Sequence, residues 1–343
     1  MQRREFVAGL AAAGATSLLS SSGLSAQAPA ETRRIIDVHH HFVSPGFFTA
    51  LAGGGAGPAQ YRDYTPDKNI ADMDKAGVAT AIVSAQATTG WFNEPAQAIR
   101  LSRDMNEFCA AKMVGGASYK GRFGAFATLP MPDVDGTLKE IAYAYDTLKV
   151  DGVAMLTSYG NKWLGDMSFA PVFDELNRRR AVLYIHPIQA TCCPNMIMGV
   201  QPQTLEYIAD TTRTIMSLIV SNTATRCPDI KFIFSHAGGA LISIAGRWLG
   251  DAVNGDNLTK PAEPNSRLAQ LKRFYYDSAQ STSPILMQPL KMLVPASQLV
   301  FGSDWPFANP AAQATALQTS GLSMEELRGL YRNNAAKLIP KFT

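Results

Sequence analysis

The stretch Ile35-Ile36-Asp37-Val38-His39-His40-His41-Phe42 decides the fold. It begins β-branched and apolar and ends on three consecutive histidines, so it reads as a strand whose C-terminal end carries chemistry. Side chains alternate faces along a strand. Asp37, His39 and His41 are therefore expected to point into the molecule together, with His40 pointing outward. Two imidazoles one residue apart on one face stand at a separation that a single metal ion can bridge.

Seven similar runs follow: 79–85, 123–129, 152–157, 181–186, 231–236, 274–278 and 299–304. Several are near-continuous Val, Ile, Leu and Phe, as strands buried on both faces should be. Amphipathic segments separate them. Ile70–Gly77 reads as a helix closed by glycine, and Phe169–Arg180 as one closed by three arginines. Strand–helix alternation implies parallel βαβ units, and eight of them imply an α/β (β/α)8 TIM barrel filling residues 29–343 as one domain. An open doubly wound sheet is the alternative, but no G-x-G-x-x-G turn follows the first run.

In such a barrel the active site lies at the C-terminal ends of the strands. All five histidines of the chain, His39, His40, His41, His186 and His236, fall at the ends of runs one, five and six. Asp304 closes run eight. Singly, each has a structural reading: a core histidine, or an aspartate capping a helix. Jointly they form a ligand set of His39, His41, His186 and Asp304. Three imidazoles and a carboxylate suit Zn²⁺, with Mn²⁺, Fe²⁺ and Co²⁺ as alternatives. His236 is better placed to move a proton beside the ion than to bind it. Phe42, Trp91, Trp305 and Phe307 are candidates for an apolar wall against a flat substrate.

The motifs Asp37-Val38-His39-His40-His41-Phe42, Ile185-His186-Pro187, Ser235-His236-Ala237-Gly238-Gly239 and Gly302-Ser303-Asp304-Trp305-Pro306 resemble those of the amidohydrolase superfamily. The resemblance runs from about residue 34 to the end. It is nearest to the branch of aminocarboxymuconate-semialdehyde and 6-methylsalicylate decarboxylases. It implies a barrel of the metal-dependent hydrolase type, with His39, His41, His186 and Asp304 as ligands and an acid–base role for His236; the proton for the reaction would come from Asp304 or from His236 through water. It also implies that Arg247 binds a substrate carboxylate, within its own chain or across a homodimer, with Arg62 as a weaker candidate. Met155-Leu156-Thr157 holds no lysine, which sets aside a carbamylated dinuclear site. His-x-His rather than Glu-x-His sets aside the resorcylate-type pattern. The implied activity is metal-dependent, non-oxidative decarboxylation of an aromatic or dienoic carboxylic acid. The alternatives are a hydrolase of a lactone, amide or carbon–carbon bond, or a hydratase.

The first 28 residues read as an address. Arg3-Arg4 precedes a short weakly apolar stretch, and Ala26-Gln27-Ala28 is an A-x-A cleavage pattern. This is a signal peptide of the twin-arginine type, cut near Ala28, and the expected destination is the periplasm. The stretch is too short to span a hydrocarbon core of roughly 30 Å. Net charge is +3, and no dense basic run exists, so neither nucleic acid nor stable membrane insertion of the mature chain is expected. The four cysteines form no C-x-x-C pair. They are expected to be small buried hydrophobes, with adjacent Cys192 and Cys193, close after a candidate ligand, the exception to inspect.

Overall fold

The computed structural model describes residues 35–53, 59–85, 94–194 and 196–343. The expected signal peptide and Trp91 lie outside these residues. Eight strands run in chain order around a barrel: β1 (Ile35–Phe42), β2 (Val78–Ala85), β3 (Phe123–Thr128), β4 (Gly152–Leu156), β5 (Val182–His186), β6 (Lys231–Phe234), β7 (Tyr275–Asp277) and β8 (Leu299–Val300). Every ladder between neighbours is parallel. Val38 N–H donates to Phe301 O, His41 N–H to Trp305 O and Asp304 N–H to His39 O, which brings the end of β8 back onto β1. The architecture is the expected TIM barrel.

Ile36, Val38, Ile82, Phe126, Val182, Tyr184, Ile233 and Val300 fill the barrel interior. Ala335, Ala336 and Ile339, at the C-terminal end of the chain, join this cluster. A larger apolar layer lies between the strands and the surrounding helices. The expected helix at 70–77 runs Pro66–Ala76, with Thr65 capping its start and Gly77, at φ 71°, its end.

Three expectations are corrected. First, β1 shifts register between Asp37 and His40. A bulge of this kind breaks strict alternation, so Asp37 lies on the His40 side instead of beside His39 and His41. Its carboxylate accepts from His40 Nδ1 at 2.9 Å and from Ser303 Oγ at 2.5 Å. Second, runs six and eight are shorter than predicted: β6 ends at Phe234, ahead of His236 (φ 53°), and β8 ends at Val300, although Trp305, just past Asp304 (φ 63°), still bridges to His40 of β1. Third, Cys192 and Cys193 are joined to each other, while Cys109 and Cys227 are free and buried as expected. A short hairpin, Ser158–Tyr159 with Lys162–Trp163, was not anticipated. Among the described residues no helix is long and apolar enough to cross a membrane.

Phe126 stacks on Tyr184 inside the barrel, with ring centroids 5.6 Å apart and planes 8° from parallel. Truncating a buried aromatic leaves a cavity that the strands cannot close. Phe126→Ala is expected to lower unfolding stability by about 3–5 kcal/mol, read from urea midpoints.

Candidate metal centre

His39 and His41 come from the end of β1, His186 from the last residue of β5, and Asp304 from the segment after β8. One ligand atom from each lies within 4.8 Å of the other three, and all four residues are buried. Asp304 Oδ1 is 3.1 Å from both His39 Nε2 and His41 Nε2. The rings of His39 and His186 stand 5.2 Å apart, and those of His41 and His186 4.9 Å apart.

Each imidazole is oriented by what its Nδ1 touches. His39 Nδ1 donates to Asp277 Oδ2 at 2.9 Å, His41 Nδ1 to Ser84 O at 3.3 Å, and His186 Nδ1 to Pro187 O at 2.8 Å. A backbone carbonyl can only accept, so the Nδ1 proton is assigned and Nε2 is left bare. This is the arrangement that presents imidazole to a metal ion. His39 Nε2 is moreover fully buried and lies 3.1 Å from Asp304 Oδ1 without hydrogen-bond geometry. A buried polar atom in that condition is costly, and an ion among these four donors removes the cost. The residues fit a divalent cation.

Electrostatics point the same way. Burial alone would strip charge from His39, but Asp277 and Asp304 outweigh it and lift the imidazole to about 10. Burial holds His41 below its ordinary value, and His186 well below it with His41 and His39 adding to the effect. Burial would raise Asp304, yet His39 and the contacts from His39 and His41 hold it well below the carboxylate range. The cluster therefore draws in one positive charge, as a proton on His39 or as a cation.

His236 lies beside the set, its ring 5.0 Å from that of His39. Its Nδ1 donates to Ala279 O at 3.0 Å, leaving Nε2 bare. It lines a cavity of about 610 Å³ together with His186, Tyr207, Gln280, Asp304 and Phe307. The remaining lining, from Gln203, Thr204, Ile208, Gly239, Ala240, Ser243, Ser281 and Leu286, carries no ionic group.

Of the other predicted residues, Phe307 reaches the cavity and sits 5.8 Å from the His41 ring. Phe42 and Trp305 do not. Phe42 turns outward against Phe108, and Trp305 stacks on His40 with Nε1 on Asp72. Tyr207 supplies the ring missed in their place. Arg247 is exposed on the helix Leu241–Leu249, one turn beyond Ser243, and does not line the cavity of its own chain; nor does the exposed Arg62.

Two site residues escaped sequence reasoning. Asp277, at the end of β7, accepts from His39 Nδ1 and from His236 N–H at 2.9 Å each. Gln280 donates from Nε2 to Asp304 Oδ2 at 2.5 Å. A Cβ at Gly302 would stand 2.8 Å from His39 Cβ and 2.9 Å from Asp277 Cβ, so only glycine lets this segment lie against both.

The amidohydrolase family profile matches residues 36–341. The chain is 35% identical to the decarboxylase yanB of Aspergillus niger, over 90% of this chain and 88% of that protein. It is 32% identical to the 6-methylsalicylic acid decarboxylase of Penicillium expansum, over 80% of this chain and 85% of that one. A dihydroxybenzoic acid decarboxylase from Polaromonas, solved with bound manganese and the inhibitor 2-nitroresorcinol, superposes with a TM-score of 0.76 at 20% identity. That likeness covers 89% of this chain and 96% of the other.

Two outcomes follow from this geometry. Ion uptake displaces the His39 proton, so between pH 6 and 8 affinity should rise about tenfold per pH unit, measured by chelator competition; a flat profile would contradict the assignment. Asp277→Asn should weaken ion binding about 10–100-fold by removing the acceptor that orients His39, in a variant whose circular dichroism is unchanged.

Proposed function

The chain belongs to the amidohydrolase family, and on that premise we propose that it is a divalent-metal-dependent carboxy-lyase. It removes carbon dioxide without an oxidant from an aromatic acid that carries a hydroxyl beside the carboxylate. The observation that carries this reading is the cavity: it converges on the ligand cluster and on the bare Nε2 of His236, and among the described residues the rest of its wall is uncharged. Relatives at 30% identity or more are named as decarboxylases. The aromatic option is favoured over the dienoic one because a second carboxylate would be buried against this wall without a cation, at a cost of several kcal/mol.

His39, His41, His186 and Asp304 would hold the ion, which when bound supplies positive charge beside the substrate carboxylate and its neighbouring oxygen. Three imidazoles and one carboxylate support Zn²⁺, with Mn²⁺ as the alternative that elemental analysis separates. Asp304 accepts from the Gln280 amide at Oδ2, lies against His39 and His41 through Oδ1 and is held ionised, so it would serve as a ligand and not as the proton donor. His236 is the proton carrier. Its bare Nε2 first takes a proton from solvent and then delivers it to the ring carbon bearing the carboxylate; the bond to that carboxylate breaks, and its electron pair restores the aromatic ring as carbon dioxide leaves. Tyr207 and Phe307 confine the flat ring.

Arg3-Arg4 and Ala26-Gln27-Ala28 support export of the folded enzyme to the periplasm. A homodimer is part of the same proposal, carried by the motif resemblance; the exposed Arg247 lies outside the cavity of its own chain.

In D₂O the organic product should carry one deuterium at the vacated carbon, with carbon dioxide released in equal amount, and in ¹⁸O-labelled water that organic product should take up no ¹⁸O. Incorporated ¹⁸O would favour hydrolysis instead. His236→Ala should lose about 10²–10⁴ in kcat while keeping its metal, whereas His186→Ala should lose the metal itself, as elemental analysis would report.

A further inference from the structure

Strand β7 gives no ligand to the set, yet the turn that follows it grips three of the site's groups. Asp277 takes the Nδ1 proton of His39 and the backbone N–H of His236. The carbonyl of Ala279 takes the Nδ1 proton of His236. Gln280, the next residue, holds Asp304 Oδ2 at 2.5 Å. Its backbone sits at φ 51°, a region that side-chain-bearing residues rarely adopt. A neighbour sustains that conformation, since Gln280 N–H donates to Gln313 Oε1 at 3.0 Å. The Gln280 side chain also lines the cavity.

The two oxygens of Asp304 therefore face different partners. Oδ1 lies against His39 and His41, and Oδ2 is drawn aside to the Gln280 amide. A carboxylate free to rotate can offer both oxygens to one cation and fill two coordination positions. We propose that Gln280 is a positioning residue that keeps Asp304 a one-oxygen ligand, so that one more coordination position stays open to the substrate. The proposal rests on reading His39, His41, His186 and Asp304 as the metal ligands. It does not depend on which reaction follows.

The test is spectroscopic and uses the full chain loaded with Co²⁺, whose visible absorption weakens as coordination number rises. Gln280→Met keeps the length of the side chain and removes its N–H donor. It should retain one equivalent of Co²⁺ while its visible band falls about two- to threefold. Its KM for an ortho-hydroxybenzoate should rise about tenfold, with kcat less affected. An unchanged band with full Co²⁺ uptake overturns the proposal and leaves the metal reading intact. Failure of the wild type to take up Co²⁺ overturns both. If Gln280→Met does not fold, Gln280→Asn, too short to reach Oδ2, must show the weaker band. Loss of folding in both variants would make Gln280 structural and end the proposal.

Discussion

Everything at the top of this barrel depends on where the Nδ1 protons of four buried histidines go. Each is taken by an acceptor fixed in the scaffold: Asp277 for His39, and the carbonyls of Ser84, Pro187 and Ala279 for His41, His186 and His236. With those protons committed, four bare Nε2 atoms are turned toward one region. The cluster then needs positive charge, and Asp304 and Asp277 define how much. Barrel, tautomers and charge balance form one chain of cause. Removing any of these acceptors would free a ring to rotate or to take the other tautomer.

The cost of this arrangement shows in the backbone. His236, Gln280 and Asp304 all hold positive φ without being glycine, and each stands just past the end of a barrel strand. Such conformations persist only where surroundings over-determine them. Here they are held by Asp304 N–H on His39 O, by His236 N–H on Asp277, and by Gln280 N–H on Gln313. Each of these turns carries its side chain off the strand direction and into the wall of one cavity.

The barrel and the ligand set were legible in the sequence, because strand periodicity and histidine placement are both patterns of spacing. His39, His41, His186 and Asp304 could be picked out by their positions at strand ends, and they do converge. Asp37 could not be placed correctly, because parity counting assumes a regular ladder and β1 carries a register shift. Asp277 and Gln280 left no signal: one is an aspartate after two tyrosines, the other a glutamine in a turn, and both act through contacts distant in sequence. Phe42 and Trp305 misled for a related reason. An aromatic residue near a strand end is equally at home facing the helices, and the register that decides between the two faces is tertiary.

The uncharged wall of the cavity bears on the fate of what is made there. Among the described residues of this chain, an anion entering it finds attraction only at the ligand cluster, so one electrostatic tether sets both its hold and its orientation. On the proposed reaction the carboxylate departs as neutral carbon dioxide, and the ring left behind meets no ionic group on this wall. The product is then held less tightly than the substrate, which favours its release between turnovers.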